Sequence, residues 1–358
     1  MKSIHLLQML KKAAAHRLYQ QRGLAWYVQR ANVNEAALRT SYNESPLKDA
    51  RDNFALIRIL GNDLYPRHKK GQTFQNLQFI LTHESNFEDC HKHWILNRIA
   101  CPDEIARLKE LLEAHQQTYE CIPYDPVAYQ EIPRDYSCLP KPDYLQSKHF
   151  RALGKKAQID AIAATYWKKN NYVMNNNGAR NRALELGRSV AKWVLPWDGN
   201  CFLNDQAWRD LSIAIRKRPH YRHFLCPMAR INDNASLLYQ SPAPATREEP
   251  QLIFRNDFKS RFNEAYCYGR RPKVEMFWTL GVPGPWDSWA DAPWDPKRRP
   301  PAEDAYGFAI AGWVARIASG MPMQEKSSWM SAAYRAIRRQ EAIIETLEYL
   351  DQNSSRAS

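Results

Sequence analysis

Asp198 closes the run Lys192-Trp193-Val194-Leu195-Pro196-Trp197-Asp198-Gly199-Asn200. An acid at the carboxyl end of a buried strand stands where α/β sheets take their ligands. Gly199 beside it lets backbone approach closely. That pairing suits a diphosphate held through Mg²⁺ or Mn²⁺, since such ions take one or two carboxylates plus phosphate oxygens. The ion would offset charge developing on a leaving nucleoside diphosphate. Asp-Gly also makes ordinary turns. The stretch before it tips the balance: Asn175-Asn176-Asn177-Gly178-Ala179-Arg180-Asn181 reads as a polar loop opening a helix that leads into the strand. Arg180 and Arg182 near that helix start can reach phosphate, helped by free backbone amides. Asn175 or Asn177 can cap the same helix.

Other chemistries find less support. The seven cysteines form no CxxC pair, and their wide spacing reads as reduced thiols in a cytosolic protein rather than a zinc site. The histidine pairs His91/His93 and His220/His223 lack neighbouring ligands. No Gly-x-Ser-x-Gly elbow, Walker loop or kinase set occurs. Net charge is +13, which suits nucleic acid, an anionic membrane surface or phosphorylated small molecules. The 12 Trp and 18 Tyr exceed a minimal core, and some could stack on ring-shaped ligands. No apolar run reaches the length of a membrane span, and no secretory signal is read at the start.

Positioning these residues requires a sheet. Phe54–Leu60 is a buried strand ended by Gly61-Asn62-Asp63, and residues 73–84 carry a helical stripe. A strand at 93–99, a helix opening at Pro102-Asp103-Glu104 and a strand at 118–123 follow. This β-α-β-α-β order predicts parallel pairing with right-handed crossovers. Residues 126–150 show no period, and a helix is predicted over 155–169. Further on come a helix at 205–216, strands at 223–228 and 251–254, and a flexible segment from Ser241 to Pro250. Residues 268–300, dense in Gly, Pro and Trp, read as an irregular binding loop or lid. Residues 4–30 read as a basic helix that packs on the domain or lies on an anionic membrane. Residues 31–52 read as a linker, and 327–350 as a charged terminal helix.

The order of these elements, with "NNNGARNRALELG" and "KWVLPWDGN", resembles the GT-A class of nucleotide-sugar glycosyltransferases, closest to the inverting family 2 type. That family has a loop N-x-G-x-x-x-A-R-N before the helix and a strand ending in D-x-D. The likeness covers about residues 54–228. It implies an α/β fold with a mixed, mostly parallel Rossmann-like sheet flanked by helices. The catalytic domain would span 53–265 with an insertion at about 126–174. Residues 1–52 and 266–358 would be helical N- and C-terminal extensions.

The resemblance further implies a donor nucleotide over the first strands, with Gly61, Asn62 and Asp63 near base and ribose. Asn97 and Arg98 stand where the family has a base-reading acid. Asn177, Arg180, Asp198 and Arg271 would bind the diphosphate, the last with Arg270 and Lys273 as the loop closes. Asn200 replaces the final acid of D-x-D, so Asp198 and Asn200 become the metal ligands. Inversion needs a general base beyond the metal strand; Asp257 is the first candidate, with Glu264, Glu275 and Asp287 behind it. The expected activity is sugar transfer from a nucleoside-diphosphate sugar to a glycan or lipid-linked acceptor in cell-surface polysaccharide assembly, at or near the inner membrane face. The alternative is a nucleotidyl- or phosphoryl-transferase on the same scaffold. A nucleic-acid-binding role ranks below both, because no recognised nucleic-acid motif is present.

Overall fold

The computed structural model describes residues 2–65, 67–239, 244–289, 291, 295–303, 305–318 and 328–354, with side chains from residue 10 in the first helix and from residue 334 in the last. Residues 241–243 of the predicted flexible segment, and Pro293 and Trp294 of the Trp-rich loop, lie outside the described residues.

Among the described residues, nine strands form one sheet: β1 (Phe54–Leu60), β2 (Cys90–Asn97), β3 (Thr118–Ile122), β4 (Trp193–Asp198), β5 (Cys201–Phe202), β6 (His223–Arg230), β7 (Glu248–Arg255), β8 (Phe308–Ile310) and β9 (Val314–Arg316). Their order is β3-β2-β1-β4-β7-β6-β9-β5, with β8 also paired to β6. Strands β3, β2, β1 and β4 run parallel, as the alternating pattern predicted. Strand β7 is antiparallel to β4 and β6, so the sheet is mixed. Phe54, Leu56 and Ile57 of β1 are buried on both faces, which is why that run is continuously apolar.

The helices are α1 (Lys2–Val28), α2 (Glu35–Asn43), α3 (Gln72–His83), α4 (Pro102–Ala114), α5 (Pro126–Gln130), α6 (Lys148–Arg151), α7 (Lys155–Thr165), α8 (Trp167–Met174), α9 (Asn176–Val190), α10 (Asp205–Arg216), α11 (Val274–Thr279) and α12 (Ser328–Ser354). Three sequence expectations change here. The expected linker at 31–52 contains α2, capped by the Asn34 side chain on the Ala37 amide. The helix expected at 155–169 is two helices that meet at Tyr166, and the second ends where Asn175 turns left-handed at φ 41°. The Trp-rich loop is partly regular: α11 buries Val274, Met276 and Phe277, and Trp286 packs against Phe277 at a tilt of 35° with centroids 4.5 Å apart.

Both terminal helices belong to the body of the protein. In α1, Tyr19 and Leu24 pack with Phe277, Trp286 and Phe308, and Gly23 breaks the helix with a φ of 70°. In α12, Ala342, Ile343 and Leu347 pack against Tyr129, Tyr166 and Val173 of the 126–174 insertion. Lys169 and Asp351 pair at 2.5 Å across that contact. Burying an aliphatic or aromatic side chain of this size contributes roughly 1.5–3 kcal/mol. The insertion and the last helix therefore stabilise one another as a second wall above the sheet.

Candidate functional site: a basic cleft over the carboxyl ends of β1, β2 and β4

A cleft of about 1160 Å³ opens at the carboxyl edge of β1, β2 and β4, between α1, the insertion, α12 and the loop following β7. Register explains what it gathers. Ile59 of β1 faces Asp198 of β4 across the ladder, so Gly61, Asn62, Asp63, Asn97, Asp198 and Asn200 leave the sheet on one side. Gly199 is required there: a Cβ would lie 2.5 Å from the Ile59 carbonyl oxygen. Among the described lining residues, eleven are Lys or Arg and five are Asp or Glu, so the cleft is strongly cationic.

The centre is an ion pair. Arg180 Nη2 donates to Asp198 Oδ1 at 2.8 Å, and Gln251 Nε2 donates to Asp198 Oδ2 at 2.9 Å. Lys273 Nζ stands 3.8 Å from the same Oδ2. Burial by itself would raise the Asp198 carboxyl, but Lys273, Arg180 and the hydrogen bonds outweigh it and hold it well below the usual carboxylate range. Asn177 sets this geometry. Its amide oxygen accepts from Arg180 Nη1 at 2.9 Å, while its Nδ2 donates to the carbonyls of Asn263 and Pro272, each at 2.8 Å. Asn181 works alongside it, donating to the Phe262 carbonyl and accepting from the Phe262 amide. The polar motif at the start of α9 thus clamps residues 262–272, the segment that brings Arg270, Arg271 and Lys273 to the cleft.

The turn after β4 does not fit a resident divalent cation. Both Asp198 oxygens accept from side chains, and two cations lie within 4 Å of them. An ion there would displace a charge-assisted bond and face fixed positive charge. Asn200 lines the cleft without adding charge. Among the described residues no three His, Cys, Asp or Glu side chains form a metal-holding group.

The remaining predicted residues divide. Asp63 lines the cleft, yet its carboxylate caps α3 through the Gln72 and Thr73 amides at 2.8 and 2.9 Å. Asn62 spans Arg98 and Ala100, bracing the β2 exit. Asn97 binds the Met174 carbonyl and the Asn175 amide group. Arg98 turns away: it is left-handed, donates to the Tyr172 carbonyl and stacks on that ring at 4.1 Å. Arg271 lines the cleft with its guanidinium over Trp289 at 4.8 Å. Burial, then Arg271 and Lys156, pushes the Lys12 ammonium down to about 8.

The structure does not bring the expected bases to the cleft. Because β7 runs antiparallel, its end emerges at the opposite edge of the sheet, and Asp257 is tied there to Arg255 by two bonds of 2.8 Å. Glu275 is fully buried and paired with Arg299 at 2.6 and 2.8 Å. Glu264 accepts from Asn181 at 2.7 Å and holds the clamp. Asp287 accepts from the Gly284 amide and caps a short turn. The antiparallel direction instead delivers the start of β7, Glu248-Glu249, to the cleft. Glu248 is paired to Arg230 at 2.9 and 2.8 Å, whereas the Glu249 carboxylate has no hydrogen bond or ion pair among the described residues. Sequence reasoning missed Glu249 by assigning it to a flexible segment. It also missed Arg316, which reaches the cleft on the short β9.

No protein-family model matches the chain, and no curated protein matches it significantly. No helix among the described residues is long and apolar enough to cross a membrane.

Proposed function

We propose that the cleft transfers a sugar from a nucleoside-diphosphate sugar to the hydroxyl of a glycan or lipid-linked acceptor, with inversion. One observation carries this reading: Arg180, Lys273 and Arg271 converge on the carboxyl edge of a parallel β-α-β unit, where a diphosphate is the matching ligand. Arg180 and Lys273 take the part assigned from sequence to a metal, balancing charge on the departing phosphate oxygen. Asp198 is the counter-ion that orients them.

In the transfer, the Glu249 carboxylate accepts the acceptor hydroxyl proton. The hydroxyl oxygen forms its bond to the anomeric carbon as that carbon's bond to the phosphate oxygen breaks. The nucleoside diphosphate leaves with the electron pair.

The test is product analysis with a panel of radiolabelled nucleotide sugars and glycan or lipid-linked acceptors. Release of nucleoside diphosphate with label on the acceptor supports the reading. Release of pyrophosphate would assign the cleft to nucleotidyl transfer instead. Tight binding of oligonucleotides with steep salt dependence, and no turnover of any donor, would return the basic charge to nucleic acid.

A further inference from the structure

Apart from Arg180 and Lys273, a second group of cations faces the cleft. Arg230 on β6, Arg316 on β9, and Arg335 and Arg339 on α12 line it together. Arg67, from the loop between β1 and α3, reaches Tyr268 behind them, Nη1 donating to the phenol oxygen at 2.6 Å. Among the described residues the carboxylate paired with this group is Glu248, which binds Arg230 at 2.9 and 2.8 Å and stands 3.6 Å from Arg316. The Nε atoms of Arg316 and Arg339 are buried with no hydrogen-bond partner. Arg335 and Arg339 line the cleft and form no ion pair among the described residues, so their charge is open to a ligand anion. Arg339 lies over the Tyr268 ring at 5.8 Å.

The neighbouring titratable groups report the same positive field. Burial first, then Arg67, Arg316 and Arg339, lowers the His68 imidazole to about 3, so it is neutral. Burial would raise the Tyr268 phenol, yet Arg67, Arg339 and Arg316 overcome it and bring it down to about 8.

We propose that Arg316, Arg335 and Arg339, with the Tyr268 ring beneath Arg339, form a second anion site that holds a phosphoryl group carried by the acceptor. The site uses residues other than Arg180, Asp198 and Lys273, in the same cleft, and rests on the glycosyl-transfer reading only in calling its ligand the acceptor. A planar guanidinium pair matches phosphate oxygens better than it matches a neutral glycan, and three of them exceed what a single sugar carboxylate can satisfy. Two sources share this chemistry: a phosphorylated sugar in a soluble glycan, and the phosphate of a lipid-linked sugar.

The full chain tests this through Tyr268 itself. The near-ultraviolet tyrosinate titration of wild type minus Tyr268→Phe isolates this one phenol. Inorganic phosphate bound among its cations raises that titration by about one pH unit. The shift persists in Arg180→Gln and is lost in the double variant Arg335→Gln/Arg339→Gln. Arg339→Lys, which keeps the charge, retains most of it and controls for folding. A titration unmoved by inorganic phosphate, or a shift that survives in the double variant, overturns the site. The same titration with glucose 6-phosphate and with vesicles containing a polyprenyl phosphate separates the sources, since a response to either supports the acceptor assignment. A response to inorganic phosphate alone overturns that assignment. None of these readouts uses turnover. The site therefore stands or falls apart from the glycosyl-transfer reading, which fails on donor turnover.

Discussion

Arg180 and Asp198 are joined at 2.8 Å across the edge of the cleft, one from the first turns of α9 and the other from the last residue of β4. Arg180 is itself held by Asn177, so the pair is built by the polar first turns of α9 and not by the strand alone.

On the proposed reading, Arg180→Ala removes a cation that balances the leaving phosphate. Its kcat/KM for a donor sugar is expected to fall by about 10²–10³-fold, as for loss of one preorganised electrostatic donor. Arg180→Lys regains only part, because one ammonium cannot span both Asn177 and Asp198 with planar geometry. Steady-state kinetics of the three proteins check this, and equal rates would remove Arg180 from the chemistry.

Chelation distinguishes the two ways of balancing the diphosphate. With Arg180 and Lys273 in that role, transfer rates should not change when EDTA is added or when Mn²⁺ is supplied. A strict Mn²⁺ requirement in wild type, lost in Asp198→Asn, would restore Asp198 and Asn200 as ligands.

The choice of base separates three carboxylates. Glu249→Gln is expected to lower kcat by about 10²–10⁴-fold with little change in melting temperature. Asp257→Asn, at the far edge of the sheet, should leave kcat intact. Glu275→Gln acts on folding: it weakens the two charge-assisted bonds from the part-exposed Arg299, at a cost of about 1–3 kcal/mol, read as a lower urea midpoint.

Acid stability should report Glu248. Burial would raise its carboxyl, but Arg230 and then Arg316 bring it from 4.5 down to about 2. A carboxyl depressed in the folded state contributes stability that is fully present above 4.5 and is lost as pH falls towards 2. Urea denaturation across that window should show a steeper loss for wild type than for Glu248→Gln. Parallel curves would contradict the assignment.

Gly199→Ala places a methyl group 2.5 Å from the Ile59 carbonyl oxygen. The turn must move away from β1, at a cost of about 1–3 kcal/mol. Donor binding should weaken along with the melting temperature. A variant as stable as wild type would mean that the turn can relax freely.

Much of the parallel half was legible because its signals are local. The run Phe54–Leu60, the α3 stripe and the Pro-Asp-Glu start of α4 each declare themselves within one element. Strands β5, β8 and β9 were not legible. They are two or three residues long, and only their partners make them strands. Trp286 was read as part of a binding loop and is core, because a buried aromatic and an exposed one look alike until Phe277 is seen beside it.

By itself the sequence determined the β-α-β-α-β order, the acid at the end of β4 and the positive charge that any ligand must answer. The tertiary structure alone decided which charges meet. The direction of β7 is set by long-range pairing with β4 and β6, and it sends Asp257 to one edge and Glu249 to the other. Packing of α12 on the insertion carries Arg339, far along the sequence from Tyr268, back over its ring and brings Arg335 to the same cleft. Electrostatics depends on separation in space, and spacing along the chain does not report it.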